Sequence, residues 1–112
     1  MNPALNNNFR LVVDLEATCF ENPKQPDLNE IIEIGIILCD ADFNILYKWS
    51  SFVRPKVNKT LSGFCKKLTH ITQEEIDTAL EFVDVLQLFQ REFETKYGID
   101  TKALIWCSWG LS

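Results

Sequence analysis

The run Glu30–Asp40, EIIEIGIILCD, limits the folds open to this chain more than any other stretch. It is almost continuously apolar and rich in β-branched isoleucine. That pattern suits a central strand covered on both faces rather than an amphipathic helix. Ala41–Asn44 is a polar connection of hairpin length. Ile45–Arg54, ILYKWSSFVR, then reads as a strand with partial alternation, ended by Pro55. Upstream, Phe9–Leu15 reads as a first strand. Three strands joined this closely predict an antiparallel meander.

Beyond Pro55 the period changes. Leu61–Leu68, LSGFCKKL, predicts a short helix with Phe64, Cys65 and Leu68 on one side. Thr72 with Glu75 three residues later is a capping-box pattern for a second short helix through Thr78. Glu81–Tyr97 places Phe82, Val85, Leu86, Phe89 and Phe93 at helical spacing, a core stripe, with Gly98 as a C′ residue. Ala103–Trp109 predicts a fourth strand, parallel to the first after the helical crossover. The class is therefore α/β. Met1–Asn8 shows no periodicity and reads as a disordered tail, and Cys19–Asn29, with Pro23 and Pro26, reads as a loop.

A chain of 112 residues with 46% hydrophobic residues can bury one core. Its net charge of −5 argues against binding a polyanion through a generally basic surface. It leaves open a nucleic-acid enzyme whose bound metal ions set the local charge. Cys19, Cys39, Cys65 and Cys107 lack CxxC spacing, so free thiols in a reducing compartment are expected. No apolar run approaches the roughly 20 residues that a membrane span needs. The expected location is intracellular and cytoplasmic, with no membrane partner.

The chemistry sits in Phe9–Phe20, FRLVVDLEATCF. Side chains two apart on a strand share a face, so Asp14 and Glu16 point the same way. Two carboxylates at the end of a buried strand repel and resist desolvation. Oxygen donors of this kind suit Mg²⁺ or Mn²⁺. Ala17, Thr18 and Cys19 follow, small enough for another molecule to approach the backbone. The bare triplet is more often solvated charge; the apolar strand that leads in and the small residues that follow bring a metal site level with that reading.

Val13-Asp14-Leu15-Glu16-Ala17-Thr18-Cys19 resembles the first motif of the DEDDh 3′→5′ exonucleases, in the branch that trims histone mRNA and small RNAs. Glu30–Gly35, Phe52–Pro55, Leu61–Cys65, Leu68–Gln73 and Cys107–Gly110 agree with that branch in order. The resemblance implies a ribonuclease H-like mixed sheet with a two-ion site. Asp14 would bridge both ions and Glu16 would bind one. Glu16 and the backbone of Ala17 and Thr18 would meet the terminal nucleotide of a single-stranded RNA or other nucleic-acid 3′ end.

The family pattern also requires a second-motif Asp after Ser108-Trp109, a general-base His and a last Asp. Residues 9–112 therefore read as the N-terminal portion of the domain, truncated before the fifth strand and incomplete for catalysis. The alternative is a non-catalytic module that binds nucleic acid or a protein, or self-associates through an unpaired sheet edge. His70 reads as a turn residue, Lys66 and Lys67 as a solvated helix face, Arg54 as structural, and Trp109 as a core aromatic.

Overall fold

The structure, a computed structural model, describes residues 8–21 and 29–108. The tail expected over 1–8 falls almost wholly outside the described residues, as do most of the loop expected over 19–29 and Trp109. Three strands come first: β1 (Phe9–Ala17), β2 (Ile31–Asp40) and β3 (Ile45–Phe52). Then follow α1 (Gly63–Thr69), α2 (Gln73–Asp77), α3 (Phe82–Tyr97), a 3₁₀ turn at Thr101–Ala103 and β4 (Ile105–Ser108).

The sheet order is β3-β2-β1-β4. β4 runs parallel to β1, with Leu11 opposite Trp106 and Val12 opposite Cys107. Thr18, just past β1, bonds Glu30, just before β2, and the Cys39 thiol near the end of β2 reaches the Arg10 carbonyl near the start of β1. β1 and β2 are therefore antiparallel. A tight hairpin joins β2 to β3: the Phe43 N–H donates to the Asp40 carbonyl at 3.0 Å and the Asp40 N–H to the Asn44 carbonyl at 3.1 Å. The Asp40 carboxylate accepts from the N–H groups of Asp42 and Asn44, and these bonds hold it below the usual carboxylate range. Phe43 takes a left-handed φ of 63°, a position that glycine normally fills in this hairpin type.

The described chain packs as two compact units. One comprises the described residues up to Asp14, Gly35–Ser50 and Leu86 onward; the other comprises Leu15–Ile34 and Ser51–Val85. In the first, Phe89 and Phe93 of α3 are buried. Trp49 of β3 lies 5.2 Å from Phe89, and Tyr47 lies 6.5 Å from Phe93. Trp106 of β4 meets Phe89 edge-on at 6.3 Å. Each indole N–H is satisfied, Trp49 by the Glu92 carboxylate and Trp106 by the Thr101 carbonyl. Gly98 closes α3 with a φ of 63° and an N–H bond to Glu94, as the sequence predicts.

In the second unit, Ile32, Leu61, Cys65, Ile71 and Ile76 form the core, with Cys19 and Phe52 packed against it. The capping box at Thr72 and Glu75 is present as predicted. His70 is the C-cap of α1, with a φ of 62° and its N–H on the Lys66 carbonyl. Its role is a turn, as the sequence implies.

Three expectations need correction. β1 does not end at Leu15; it continues to Ala17, so Asp14 and Glu16 lie within the strand. Phe82 is not part of the buried stripe, because it opens α3 and stays 38% exposed. β2 is less symmetrically covered than its composition suggests. Ile32, Ile34, Ile36 and Leu38 are buried, whereas Ile31, Glu33, Gly35 and Ile37 on the other face are only half-buried.

Candidate active site

β1 carries the two acids on successive positions of one strand face, since Asp14 and Glu16 are two residues apart in regular extended structure. Asp14 is exposed and Glu16 half-buried, so neither is desolvated as a buried strand end would require. Among the described residues, neither carboxylate takes part in a hydrogen bond or an ion pair within the fold. Their oxygens stay available to a ligand.

Asp14 lines a groove of about 840 Å³ together with Val12, Gly35, Ile37, Cys39 and Lys48. Gly35 sits beside it on β2. A Cβ there would meet the Asp14 carbonyl at 3.8 Å, an ordinary contact, so no clash demands this glycine. Its missing side chain keeps the groove open next to Asp14.

The segment that follows Glu16 is tied down residue by residue. The Ala17 carbonyl accepts a weak bond from the Cys65 thiol at 3.8 Å. The Thr18 N–H donates to the Glu30 carbonyl at 2.8 Å, and the Thr18 hydroxyl accepts from the Glu30 N–H at 2.9 Å. The Cys19 carbonyl accepts from the Ser62 hydroxyl at 2.7 Å. Ser62 is also the N-cap of α1, accepting from the Cys65 N–H at 3.0 Å. Burial, the neighbouring Cys65 thiol and the Glu16 charge push the Cys19 thiol up to about 11. All four cysteines are free, as expected.

Glu30 serves a second loop. Its carboxylate accepts from the N–H groups of Lys56, Val57 and Asn58 at 2.7, 2.9 and 2.6 Å, and from the Asn58 side-chain amide at 3.1 Å. Partial burial opposes its ionisation, but these donors outweigh it and hold the carboxyl below its ordinary value.

Of the predicted site residues, then, Asp14 and Glu16 share a strand face. Ala17 and Thr18 continue the chain from them. Thr18 is buried, and its hydroxyl and N–H both serve Glu30 rather than facing outward. Arg54 is structural as predicted: it pairs with Glu81 at 3.4 Å, and its N–H meets the Leu80 carbonyl. Lys66 and Lys67 are exposed in the last turn of α1. Among the described residues, no group of three or more His, Cys, Asp or Glu is placed to hold a metal ion. Sequence reasoning missed Ser62 and Glu30. A serine before a helical pattern is a visible N-cap signal, but its bond to Cys19, 43 residues away, leaves no local trace.

The sequence profile of the family described as Exonuclease matches residues 11–106, a span that includes both acids and the segment tied to them. This chain belongs to the exonuclease family. It is 45% identical over 80 residues to the 3′-5′ exonuclease eri1 of Schizosaccharomyces pombe, covering 70% of this chain and 27% of that protein. It is 37% identical over 96 residues to the 3′-5′ exoribonuclease 1 of Homo sapiens, covering 80% of this chain and 28% of that protein. Among solved structures, it resembles the nuclease domain of 3′hExo, a DEDDh family member, bound to rAMP. There the TM-score is 0.75 and the identity 31%, over 91% of this chain and 50% of that one. It also resembles cell-death related nuclease 4, with a TM-score of 0.77 and 27% identity over 92% of this chain and 35% of that one.

The exonuclease fold expected from the sequence, a ribonuclease H-like mixed sheet, is the fold observed. The chain spans little more than a quarter of the length of these two curated relatives. Among the described residues, no helix is long and apolar enough to cross a membrane.

Proposed function

We propose that this exonuclease-family chain contributes Asp14 and Glu16, as metal-binding acids, to a domain that removes nucleotides from the 3′ end of single-stranded RNA by divalent-ion hydrolysis. The observation that carries the reading is the pair itself: two carboxylates on one face of β1, neither in a hydrogen bond or ion pair among the described residues, inside a span matched by the family. RNA is favoured over DNA because the relatives include 3′-5′ exoribonucleases.

The donor set fits the implied ions. Both groups are hard oxygen donors, which suit Mg²⁺ or Mn²⁺. When bound, a pair of such ions supplies an activated water and neutralises the leaving 3′ oxygen. Asp14 and Glu16 would hold the ions, and two carboxylates alone would leave coordination positions open to water and to the substrate phosphate. The residues present do the remaining work. β1 fixes the spacing of the acids, and the tethered Ala17–Cys19 backbone borders the terminal nucleotide. The four free thiols agree with a cytoplasmic setting.

The test uses a 5′-labelled single-stranded RNA with this chain and Mn²⁺. The expected result is Mn²⁺-dependent binding that is lost in Asp14→Ala, with little or no shortening from the 3′ end. Binding and shortening unchanged by that substitution would overturn the reading. RNA binding that does not depend on Mn²⁺, without any shortening, would support the alternative of a non-catalytic module.

A further inference from the structure

We propose that Ser62 is a positioning residue of the nuclease site, clamping the backbone that leaves Glu16 so that the terminal nucleotide meets a fixed surface. The inference rests on the nuclease reading above and adds to it a residue remote in sequence from the acids. Ser62 makes two bonds with one hydroxyl. As acceptor it caps α1 through the Cys65 N–H at 3.0 Å, and as donor it holds the Cys19 carbonyl at 2.7 Å.

The two roles differ in consequence. The cap stabilises a helix. The donated bond ties that helix to the third residue after Glu16, on the segment already gripped at Thr18 by Glu30. Cys65, whose N–H makes the cap bond to Ser62, adds only a weak thiol bond to Ala17 at 3.8 Å. Ser62 therefore supplies the strong link between α1 and the post-acid backbone. Small displacements at such a site are costly to binding and chemistry alike.

The chemistry of serine's neighbours separates the roles. Ser62→Thr keeps both bonds. Ser62→Asp keeps an N-cap acceptor but has no proton to give the Cys19 carbonyl. The experiment measures the affinity of the full chain in Mn²⁺ for a short single-stranded RNA with a non-hydrolysable 3′-terminal linkage, alongside the melting temperature. The expected result is wild-type binding for Ser62→Thr. For Ser62→Asp it is a near wild-type melting temperature with affinity about tenfold weaker. Ser62→Ala, measured at 10 °C where a lost cap leaves the chain folded, should show the same weakening. Wild-type affinity in both Ser62→Asp and Ser62→Ala would overturn the inference while leaving the nuclease reading intact. Absence of RNA binding by the wild-type chain would overturn both.

Discussion

Thr18 and Glu30 hold each other through a reciprocal pair of bonds, N–H to carbonyl at 2.8 Å and hydroxyl from N–H at 2.9 Å. Thr18 is only 2% exposed, so water cannot replace either bond. The pair closes the open end of the β1–β2 ladder two residues beyond Glu16. Thr18→Val keeps the shape but strands the Glu30 N–H. The expected loss is about 1–3 kcal/mol in urea unfolding, the cost of an unsatisfied buried donor. Thr18→Ser should lose less than half as much. Equal losses for both would show that the hydroxyl is not the source.

Glu30 links the same site to residues 56–58 and brings a pH dependence with it. The N–H donors of residues 56–58 hold its carboxyl below its ordinary value. A depressed acid contributes stability that is fully present above its unfolded pKa. That stability is lost as pH falls through the unfolded value toward the folded one. Glu30→Gln keeps the size but weakens the acceptor for three backbone donors. It should cost about 1–3 kcal/mol at pH 7. Urea unfolding of the variant should depend less steeply on pH below 5 than that of the wild type. An identical pH profile would contradict the assignment.

His70 is the one histidine of the chain, and its backbone rather than its ring explains its position. A non-glycine residue at φ 62° is strained. His70→Gly should raise stability by about 1 kcal/mol and leave RNA affinity unchanged. A loss of binding would give the imidazole a role at the site that this account denies it.

Phe93 anchors the aromatic cluster of its unit, fully buried and touching Tyr47, Phe89 and Tyr97. Phe93→Ala should cost about 3–5 kcal/mol by chemical denaturation. A cost below 1 kcal/mol would mean that the cluster can collapse around the gap.

The local features were legible in the amino-acid order because their causes are local. The box at Thr72 and Glu75, the glycine after α3 and the apolar spacing of Val85, Phe89 and Phe93 each depend on neighbours within a few turns. Likewise, Asp14 and Glu16 stood out through strand periodicity. The error about the end of β1 has a simple origin: two charged residues looked like a terminus, yet with Asp14 exposed and Glu16 only half-buried they continue the ladder. Phe43 was invisible as a strained residue because only the hairpin geometry imposes its left-handed backbone. The bonds of Glu30 to residues 56–58 and of Ser62 to Cys19 join positions 26 to 43 residues apart, and no pattern along the chain encodes them.

The central claim is that Asp14 and Glu16 together hold a divalent ion. Its most direct test is Mn²⁺ binding by electron paramagnetic resonance, comparing the wild-type chain with Asp14→Asn and Glu16→Gln, both isosteric and uncharged. The account predicts a saturable Mn²⁺ site in the wild type and affinity at least about tenfold weaker in each variant, since each removes an anionic oxygen donor. Equal Mn²⁺ affinity in all three proteins would contradict it.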